Sequence, residues 1–322
     1  AGDGGAVLVP KILVKGYPVT VLDWYIYGKN VLQYHPHLTQ IRGDIRDDKL
    51  VKHALQNIDA VIHLACISND PSFDLNPKLG KSINYDATIQ LVELSKSSGV
   101  KRFIYASSSS VYGVKKENEV TENLPLEPLT DYSKYKALCE EYMLQKNDKD
   151  FSVLILRPAT VCGYSPRLRL DLTVNMLTLQ ALVNQKITVF GGNQLRPNIH
   201  IEDITDLYIA ALKYPDQKIA GKVYNAGYQN LSLLEIAHLI KKVLHDTEIQ
   251  IEISPTTDLR SYRISSQKIK KELRFVPSHT LEEAIFDLQQ AYHEGKIPNA
   301  FTNDLYYNLK TLKRAHVQMN YE

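Results

Sequence analysis

The sequence predicts an α/β fold built on a doubly wound parallel sheet, with helices on both faces. Three apolar runs without polar alternation support this: YPVTVLD from Tyr17, DAVIHLACIS from Asp59 and FSVLILRP after Asp150. Such runs are typical of strands that are covered on both faces. Segments of helical periodicity lie between them, which is typical of consecutive βαβ units. We therefore expect binding sites at the carboxyl ends of the strands, where such sheets bind ligands.

The segment TDYSKYKALCEEYML, which starts at Thr130, predicts a helix that carries a reactive tyrosine. Thr130 and Asp131 are side chains that cap helices, so Tyr132 falls in the first turn. Lys136 lies one turn further along the same face. The positive end of the helix dipole and the neighbouring ammonium both favour an ionised phenol. We therefore expect a lowered pKa for Tyr132, which would let it take a proton from a substrate hydroxyl.

The spacing Tyr-x-x-x-Lys alone is not informative, because it occurs seven times in the chain. The pairs start at Tyr25, Tyr112, Tyr132, Tyr142, Tyr214, Tyr292 and Tyr306. Tyr132 differs from the others in its position. It follows the apolar strand KRFIYA, four serines at 107–110 and a polar loop, so its helix starts beside the carboxyl end of a strand.

The composition indicates a globular protein with a substantial core, because 44% of the 322 residues are hydrophobic. The formal net charge is +2, and the even mix of signs argues against a nucleic-acid partner. Cys66, Cys139 and Cys162 are too few and too scattered for a disulfide framework or a metal site, so we expect no metal and a reducing, cytoplasmic location. The sequence shows no signal peptide and no apolar run that could span a bilayer, so we expect no membrane association.

YASSSSVYG followed by YSKYK resembles the extended short-chain dehydrogenase/reductase family, in particular its nucleotide-sugar epimerases and dehydratases. The resemblance extends from Ala1 to about Leu288. In that family a Ser or Thr three residues before the Val of VYG forms a catalytic triad with the Tyr and the Lys. The resemblance therefore implies a Rossmann-type sheet and a triad of Ser108, Tyr132 and Lys136.

The first residues, AGDGGAVLVPKILVKG, contain the Gly-rich turn and the helix of a dinucleotide-binding unit without the strand that precedes them. The family pattern is Gly-x-x-Gly-x-x-Gly, in which Gly2 and Gly5 would be the second and third glycines. We expect the first strand of the sheet to be missing before Ala1. Asp3 and Gly4 stand where the family usually has an aromatic or apolar pair, and a carboxylate beside a pyrophosphate is unfavourable.

Asp23 ends the strand that follows this helix, about twenty positions after the glycines. Such a carboxylate accepts hydrogen bonds from the adenine ribose and repels a 2′-phosphate, so NAD is favoured over NADP as the cofactor. In relatives the helix of Asn84 and the helix of Tyr132 form a dimer contact, so the resemblance also implies a homodimer. By resemblance, the remaining cofactor positions are Asp44, Ile45, Leu64, Ala65, Cys66, Asn84 and Pro158, together with Tyr132 and Lys136.

Residues 158–200 and 229–322 are expected to form a smaller C-terminal substrate-binding lobe, because Gly, Pro, Arg and Asn become more frequent after the last apolar strand. Residues 1–157, with a return at about 201–228, would form the NAD-binding domain. Thr160 replaces the family's usual Asn, so contacts there are expected to differ. The resemblance implies a nucleotide-diphosphate sugar in the lobe, bound by Ser108, Thr160, Arg196 and Arg260.

Together these features predict an NAD-dependent nucleotide-sugar epimerase that works through a transient keto sugar. An NAD-dependent oxidoreductase that leaves or reduces a keto sugar keeps the same triad and is the alternative. A 4,6-dehydratase is disfavoured, because Ser109 and Ser110 stand where dehydratases carry an acid pair. A non-catalytic NAD-sensing protein would be expected to lack the Tyr or the Lys, and both are present.

Overall fold

A computed structural model of the protein describes residues 1–28, 30–256 and 261–319. Helices and strands alternate through the first half. Its strands are β1 (Val19–Asp23), β2 (Leu38–Arg42), β3 (Ala60–His63), β4 (Arg102–Ala106) and β5 (Ser152–Pro158). Its helices are α1 (Asp3–Val14), α2 (Asp48–Ala54), α3 (Asp70–Asp74), α4 (Pro77–Lys81), α5 (Ala87–Ser97) and α6 (Asp131–Lys146). A π-helical turn (Ser82–Asp86) leads into α5, and a 3₁₀ turn (Ser109–Tyr112) follows β4.

The second half adds shorter strands and further helices. Its strands are β6 (Thr160–Cys162), β7 (Lys186–Phe190), β8 (Leu195–His200), β9 (Lys222–Ala226), β10 (Gln229–Ser232) and β11 (Gln250–Ser254). Its helices are α7 (Thr173–Asn184), α8 (Ile201–Ala211), α9 (Asp216–Ile219), α10 (Leu233–Val243), α11 (Gln267–Leu273), α12 (Leu281–His293) and α13 (Asn308–Met319), with a 3₁₀ turn (Asp304–Tyr306) before α13.

The strands that the apolar runs predict are parallel, and the predicted α/β fold is confirmed. Strands β3, β4, β5 and β9 form one sheet in the order β3-β4-β5-β9. In its register Phe103 of β4 lies between Val61 of β3 and Val153 of β5. Strands β1 and β2 pair in parallel as a separate two-stranded sheet. In the described ranges the five strands of the first half, together with β9, therefore form two parallel hydrogen-bonded sheets.

Helix α1 packs against both parallel sheets. Leu8 and Ile12 share a buried cluster with Ile104 of β4. Val9 and Leu13 lie in a second buried cluster, which includes side chains of β1 and β2. Burying a large apolar side chain contributes about 1.5–3 kcal/mol, so these contacts fix α1 firmly beside the strands.

Two small sheets and three helices form a second core. The order of one sheet is β10-β8-β6, and β11 pairs with β7 in the other. Helices α7, α10 and α12 pack there around Ile187, Ile236 and Ile285, which are fully buried. Because only Ala159 separates the end of β5 from the start of β6, this region starts at the carboxyl edge of the four-stranded sheet.

Strand β3 is shorter than the apolar run DAVIHLACIS suggests, because the ladder to β4 ends at His63. The small residues after it form a loop, which leaves their backbone groups outside the ladder. No helix in the described part of the chain is long and apolar enough to cross a membrane.

Candidate active site

Helix α6 presents Tyr132 in its first turn, and its start is fixed by a capping box. The backbone N–H of Ser133 donates to Thr130 Oγ1 at 3.3 Å, and the N–H of Thr130 donates to Ser133 Oγ at 3.2 Å. Thr130 Oγ1 also donates to Asp70 Oδ1 at 2.7 Å. The predicted cap is confirmed, and Asp70 ties the start of the helix to the segment that follows β3.

Lys136, Tyr132 and Ser108 come together at the carboxyl end of β4. The Lys136 ammonium donates to the carbonyl oxygen of Ala106, the last residue of β4, at 2.6 Å. It lies 6.0 Å from the centre of the Tyr132 ring and is almost fully buried. Ser108 is close enough to the Tyr132 phenol to lower its pKa, and the Ser108 hydroxyl lies 2.8 Å from that of Ser110. Two hydroxyls and an ammonium thus converge where a substrate could bind.

Burial raises the pKa of the Tyr132 phenol well above its ordinary value, so the expectation of a lowered pKa is wrong. Desolvation disfavours the phenolate and outweighs the positive charges around it. Cys66 and Asp70 act in the same direction as burial. The charge of Arg169 and the neighbouring Ser108 side chain lower the pKa of Tyr132. Further positive charge at the site is needed before Tyr132 can work as a base.

A buried ion pair holds α6 to β5 and to the serine-rich turn. Arg157 Nη2 lies 2.5 Å from Glu140 Oε2, and the two side chains are 6% and 3% exposed. Ser107 Oγ donates to the other oxygen of Glu140. Arg157 also donates to the Tyr112 hydroxyl at 2.7 Å. The helix that carries Tyr132 and Lys136 is therefore joined to the turn that carries Ser108.

The residues predicted to hold the adenosine lie at the ends of β1 and β2. Asp23 ends β1, and its Oδ1 accepts a hydrogen bond from the backbone N–H of Tyr25 at 2.6 Å. Asp44 follows β2 and forms an ion pair with Arg46 at 2.6 Å. Burial raises the pKa of the Asp44 carboxyl, but the hydrogen bonds from Arg46 outweigh this effect and keep the pKa below its ordinary value. Ile45 is buried beside them.

A further group of residues predicted to bind the cofactor lies in the loop that follows β3. Leu64, Ala65 and Cys66 are half-buried there. Asn84, in the π-helical turn, accepts a hydrogen bond from the N–H of Ile67 at 2.8 Å and donates to its carbonyl oxygen at 2.9 Å. The amide of Asn84 thus fixes the end of this loop.

The first turn of α1 fits the diphosphate of a dinucleotide. Gly2 caps the helix without any side-chain hydrogen bond, and a Cβ added to Gly2 would meet no atom within 4 Å. The first N–H groups of a helix have no acceptor within it, and its amino end attracts anions. A Cβ added to Gly4 would lie 4.0 Å from Leu64, so this turn faces the loop after β3. Nearby, Nε of Arg167 is buried without a hydrogen-bond partner in the described residues.

The residues predicted to bind substrate lie on neighbouring strands beyond the end of β5. Pro158 ends β5, and Thr160 starts β6, where it pairs with Asn198 of β8. Arg196 lies two residues before Asn198 on the same strand, so Thr160 and Arg196 share one sheet. Arg260 lies outside the described residues.

Comparisons with known proteins identify the family. The model of the NAD dependent epimerase/dehydratase family matches residues 1–227. The chain belongs to this family. It is 27% identical over 319 residues to a UDP-glucose 4-epimerase of Lactobacillus helveticus. This match covers 92% of this chain and 95% of that protein. It is 28% identical to UDP-glucose 4-epimerase 2 of Arabidopsis thaliana, with 89% of this chain and 91% of that protein covered.

Solved structures agree with this membership of the epimerase/dehydratase family. The structure of UDP-glucuronic acid 4-epimerase from Bacillus cereus, in complex with UDP-glucuronic acid and NAD, matches with a TM-score of 0.80 and 27% identity. The match covers 90% of this chain and 97% of that one. NAD is the cofactor of the family, and the open first turn of α1 and the carboxylate of Asp23 suit it.

Sequence reasoning misses three charged residues of this epimerase/dehydratase site: Asp70, Arg167 and Arg169. Asp70 and Arg169 act on the pKa of Tyr132, and Arg167 lies at the start of α1. A signal for the arginines is present in PRLRLD, where they alternate and so point to the same side of an extended chain. That they approach α1 and Tyr132 depends on contacts between distant segments, which no local pattern contains.

Proposed function

We propose that this protein is an NAD-dependent nucleotide-sugar epimerase. The observation that carries the proposal is that Tyr132, Ser108 and the Lys136 ammonium come together at the carboxyl end of β4, in a chain of the NAD dependent epimerase/dehydratase family. UDP-glucose 4-epimerases that align with about nine tenths of the chain support a nucleotide sugar as the substrate.

Tyr132 is the residue that accepts the proton of a sugar hydroxyl and later returns it. Because burial raises its pKa, the phenol depends on nearby positive charge to act as a base near neutral pH. Lys136 and Arg169 supply the protein's part of that charge. Ser108 donates a hydrogen bond to the oxygen on which negative charge develops.

NAD would be held between the first turn of α1 and the ends of the strands. When bound, NAD supplies the hydride acceptor for the sugar carbon and then the hydride donor. The open N–H groups at Gly2 and Gly5 face the diphosphate, and Asp23 accepts hydrogen bonds from the adenine ribose. Lys136 holds the nicotinamide ribose through its ammonium.

The nucleotide sugar would bind in the C-terminal lobe, residues 158–200 and 229–322. The separate core around α7, α10 and α12 supports this division of the chain. Thr160 and Arg196 contact the substrate from β6 and β8. The guanidinium of Arg196 suits phosphate oxygens, and Arg260 has the same role in this proposal.

A homodimer and a cytoplasmic location complete the proposal. The dimer rests on the resemblance and would use α5 and α6, where Leu138 is 44% exposed. All three cysteines are free, which supports a reducing compartment.

The alternatives differ in what they release, so one experiment separates them. Purified protein is checked for bound NAD and then incubated with a panel of nucleotide sugars, which are followed by NMR and by absorbance of NADH. Interconversion of two sugars without accumulation of NADH is the expected result. Accumulated NADH or a stable ketone would instead identify an oxidoreductase. Loss of a hydroxyl would identify a dehydratase, which Ser109 and Ser110 disfavour because neither is an acid.

We predict that Tyr132→Phe lowers turnover by about 10²- to 10⁴-fold, the usual contribution of a positioned acid or base. NAD affinity should stay nearly unchanged, since the ring is retained. The measurements are kcat and the NAD dissociation constant. Tyr142→Phe, on the same helix but half-buried beside Glu93 of α5, is the matched control and should keep full turnover. Near-normal turnover of Tyr132→Phe would remove this residue from the proposed role.

A further inference from the structure

Residues 165–171 of the lobe cross the first turn of α1 and bring two arginines there. Ser165 Oγ donates to the carbonyl oxygen of Asp3 at 3.0 Å, which fixes the crossing. The guanidinium carbon of Arg167 lies 3.5 Å from the centre of the ring of Tyr27, in the loop after β1. Arg167 is 4% exposed. It therefore lies between the loop after the strand of Asp23 and the start of the helix that faces a diphosphate.

Arg167 is buried with part of its hydrogen-bonding capacity unused. Its Nη2 donates to the neutral amide oxygen of Asn308, and its Nε has no partner among the residues that the structure describes. Arg169 differs, because its Nε donates to Asp171 at 2.9 Å. A buried guanidinium whose hydrogen-bond partner is neutral is unfavourable unless an anion joins it. The carboxylates of Asp3 and Asp171 act on Arg167 through their charge, but among the described residues its Nε donates to neither of them, so this donor is left for an anionic ligand.

Asp3 explains why a cation is needed at this turn. Its Oδ1 is buried and without a hydrogen-bond partner in the described ranges. Burial raises the pKa of its carboxyl to about 6, while the charges of Arg169 and Arg167 lower it. Near neutral pH the carboxylate opposes the attraction that the helix end exerts on a diphosphate. The two guanidinium groups offset this repulsion.

We propose that Arg167 binds a phosphate oxygen of the NAD diphosphate, with Arg169 as a second cation between that diphosphate and Tyr132. The inference rests on the proposed function. The planar fork of a guanidinium matches phosphate oxygens, and the free Nε supplies a donor for one of them. The charge of Arg169 acts on both Asp3 and Tyr132, so it links the two parts of the site. The lobe then contributes directly to cofactor binding.

The test measures binding by titration calorimetry, without turnover, using NAD, ADP-ribose, adenosine and UDP as ligands. Arg167→Gln should weaken the binding of NAD and of ADP-ribose about 10- to 100-fold, which is the usual effect of losing a hydrogen bond to a charged group. Binding of adenosine and UDP should not change. The control is Arg102→Gln, which removes another largely buried arginine, at the start of β4, and should leave every affinity unchanged.

Three results for Arg167→Gln would overturn the inference: an unchanged affinity for NAD, an equal loss of affinity for adenosine and for ADP-ribose, or a loss of affinity for UDP alone. The last result would assign Arg167 to the nucleotide sugar. If wild-type protein binds no NAD, the proposed function itself fails, whereas normal NAD binding by both wild type and Arg167→Gln removes only this inference.

A second variant keeps the inference testable if Arg167→Gln does not fold. Asp3→Asn removes the opposing charge. It should therefore tighten the binding of ADP-ribose about 3- to 10-fold at pH 7.5 and leave the affinity for adenosine unchanged. An unchanged or weaker affinity for ADP-ribose would contradict a diphosphate at this turn.

Discussion

At Tyr132, desolvation and positive charge act on the same hydroxyl in opposite directions. The spacing of Tyr132 and Lys136 along a helix could be predicted from the sequence, because it depends only on helical geometry. The burial of the phenol could not, since Cys66 and Asp70 come from distant parts of the chain. The sign of the pKa shift is therefore a tertiary property, and the prediction of a lowered value failed for that reason.

His63 shows the opposite outcome, in which a local argument is sufficient. A histidine in an apolar strand is expected to be a satisfied core residue. His63 is buried, and its Nε2 lies 2.9 Å from Thr88 Oγ1. Burial, assisted by the charge of Lys136, lowers its pKa to about 3, so the ring stays neutral. His63 is therefore a core residue with a hydrogen-bonding neighbour.

Asp3→Asn should stabilise the protein above pH 6. Burial raises the folded-state pKa of Asp3 to about 6 from an ordinary 3.8, so the folded protein binds this proton more tightly than the unfolded chain. Stability should therefore fall as pH rises from about 4 through 6. Asp3→Asn has no carboxylate to ionise at this position, so its free energy of unfolding should exceed that of the wild type by about 1–3 kcal/mol at pH 7.

Urea unfolding of both proteins between pH 4.5 and 7.5 checks the Asp3 prediction. The difference between variant and wild type should grow over this range and then level off. Asp131→Asn, which removes an exposed carboxylate at the start of α6, is measured in parallel as the control. A constant difference across the range would rule out a raised pKa at Asp3.

At the scale of a single helix, α6 depends on its cap for both stability and catalysis. Thr130→Ala removes the capping box and the hydrogen bond to Asp70, which should lower the free energy of unfolding by about 1–2 kcal/mol. Because Tyr132 lies in the first turn, the fraying should also lower kcat. Ser232→Ala removes the equivalent box of α10, outside the predicted substrate and cofactor contacts. A similar loss of melting temperature with unchanged kcat is expected for this control. Equal kcat for the two variants would contradict a role for the α6 cap in catalysis.

The Glu140–Arg157 pair joins α6 to β5, and breaking it should be costly. Glu140→Gln leaves the buried guanidinium of Arg157 without its counter-charge, so we expect the free energy of unfolding to fall by about 3–5 kcal/mol. Glu140→Gln combined with Arg157→Met should recover part of this loss, because no buried charge is then unpaired. Thermal unfolding measures both variants. A double variant that is less stable than Glu140→Gln alone would show that the charge pair is not the source of the effect.

At the scale of the whole molecule, the proposed dimer can be tested at Leu138. Leu138→Glu places a charge on the exposed face of α6 and should convert a dimer to a monomer in sedimentation experiments, since an unpaired charge is disfavoured in an interface. Val276→Glu changes a residue of similar exposure outside α5 and α6 and should leave the assembly unchanged. A wild-type monomer, or a variant dimer, would exclude this interface.

The parallel strands and the capped helix could be predicted from the sequence, because the strands leave continuous apolar runs and the helix leaves a capping signal. The prediction missed Arg167 and Arg169 at the cofactor turn. Their position depends on how residues 165–171 cross α1, and this crossing is held by a single hydroxyl of Ser165 and by packing. Contacts of that kind join segments more than 160 positions apart and leave no local pattern.

The ammonium of Lys136 is anchored on a main-chain oxygen, that of Ala106. Every amino acid offers the same carbonyl, so no side-chain replacement at position 106 deletes this acceptor. A substitution at position 106 keeps this acceptor in place as long as the strand keeps its path, whereas a one-residue insertion or deletion there would move the anchor by about 3.3 Å. The anchor therefore depends on the length of β4 and not on its composition.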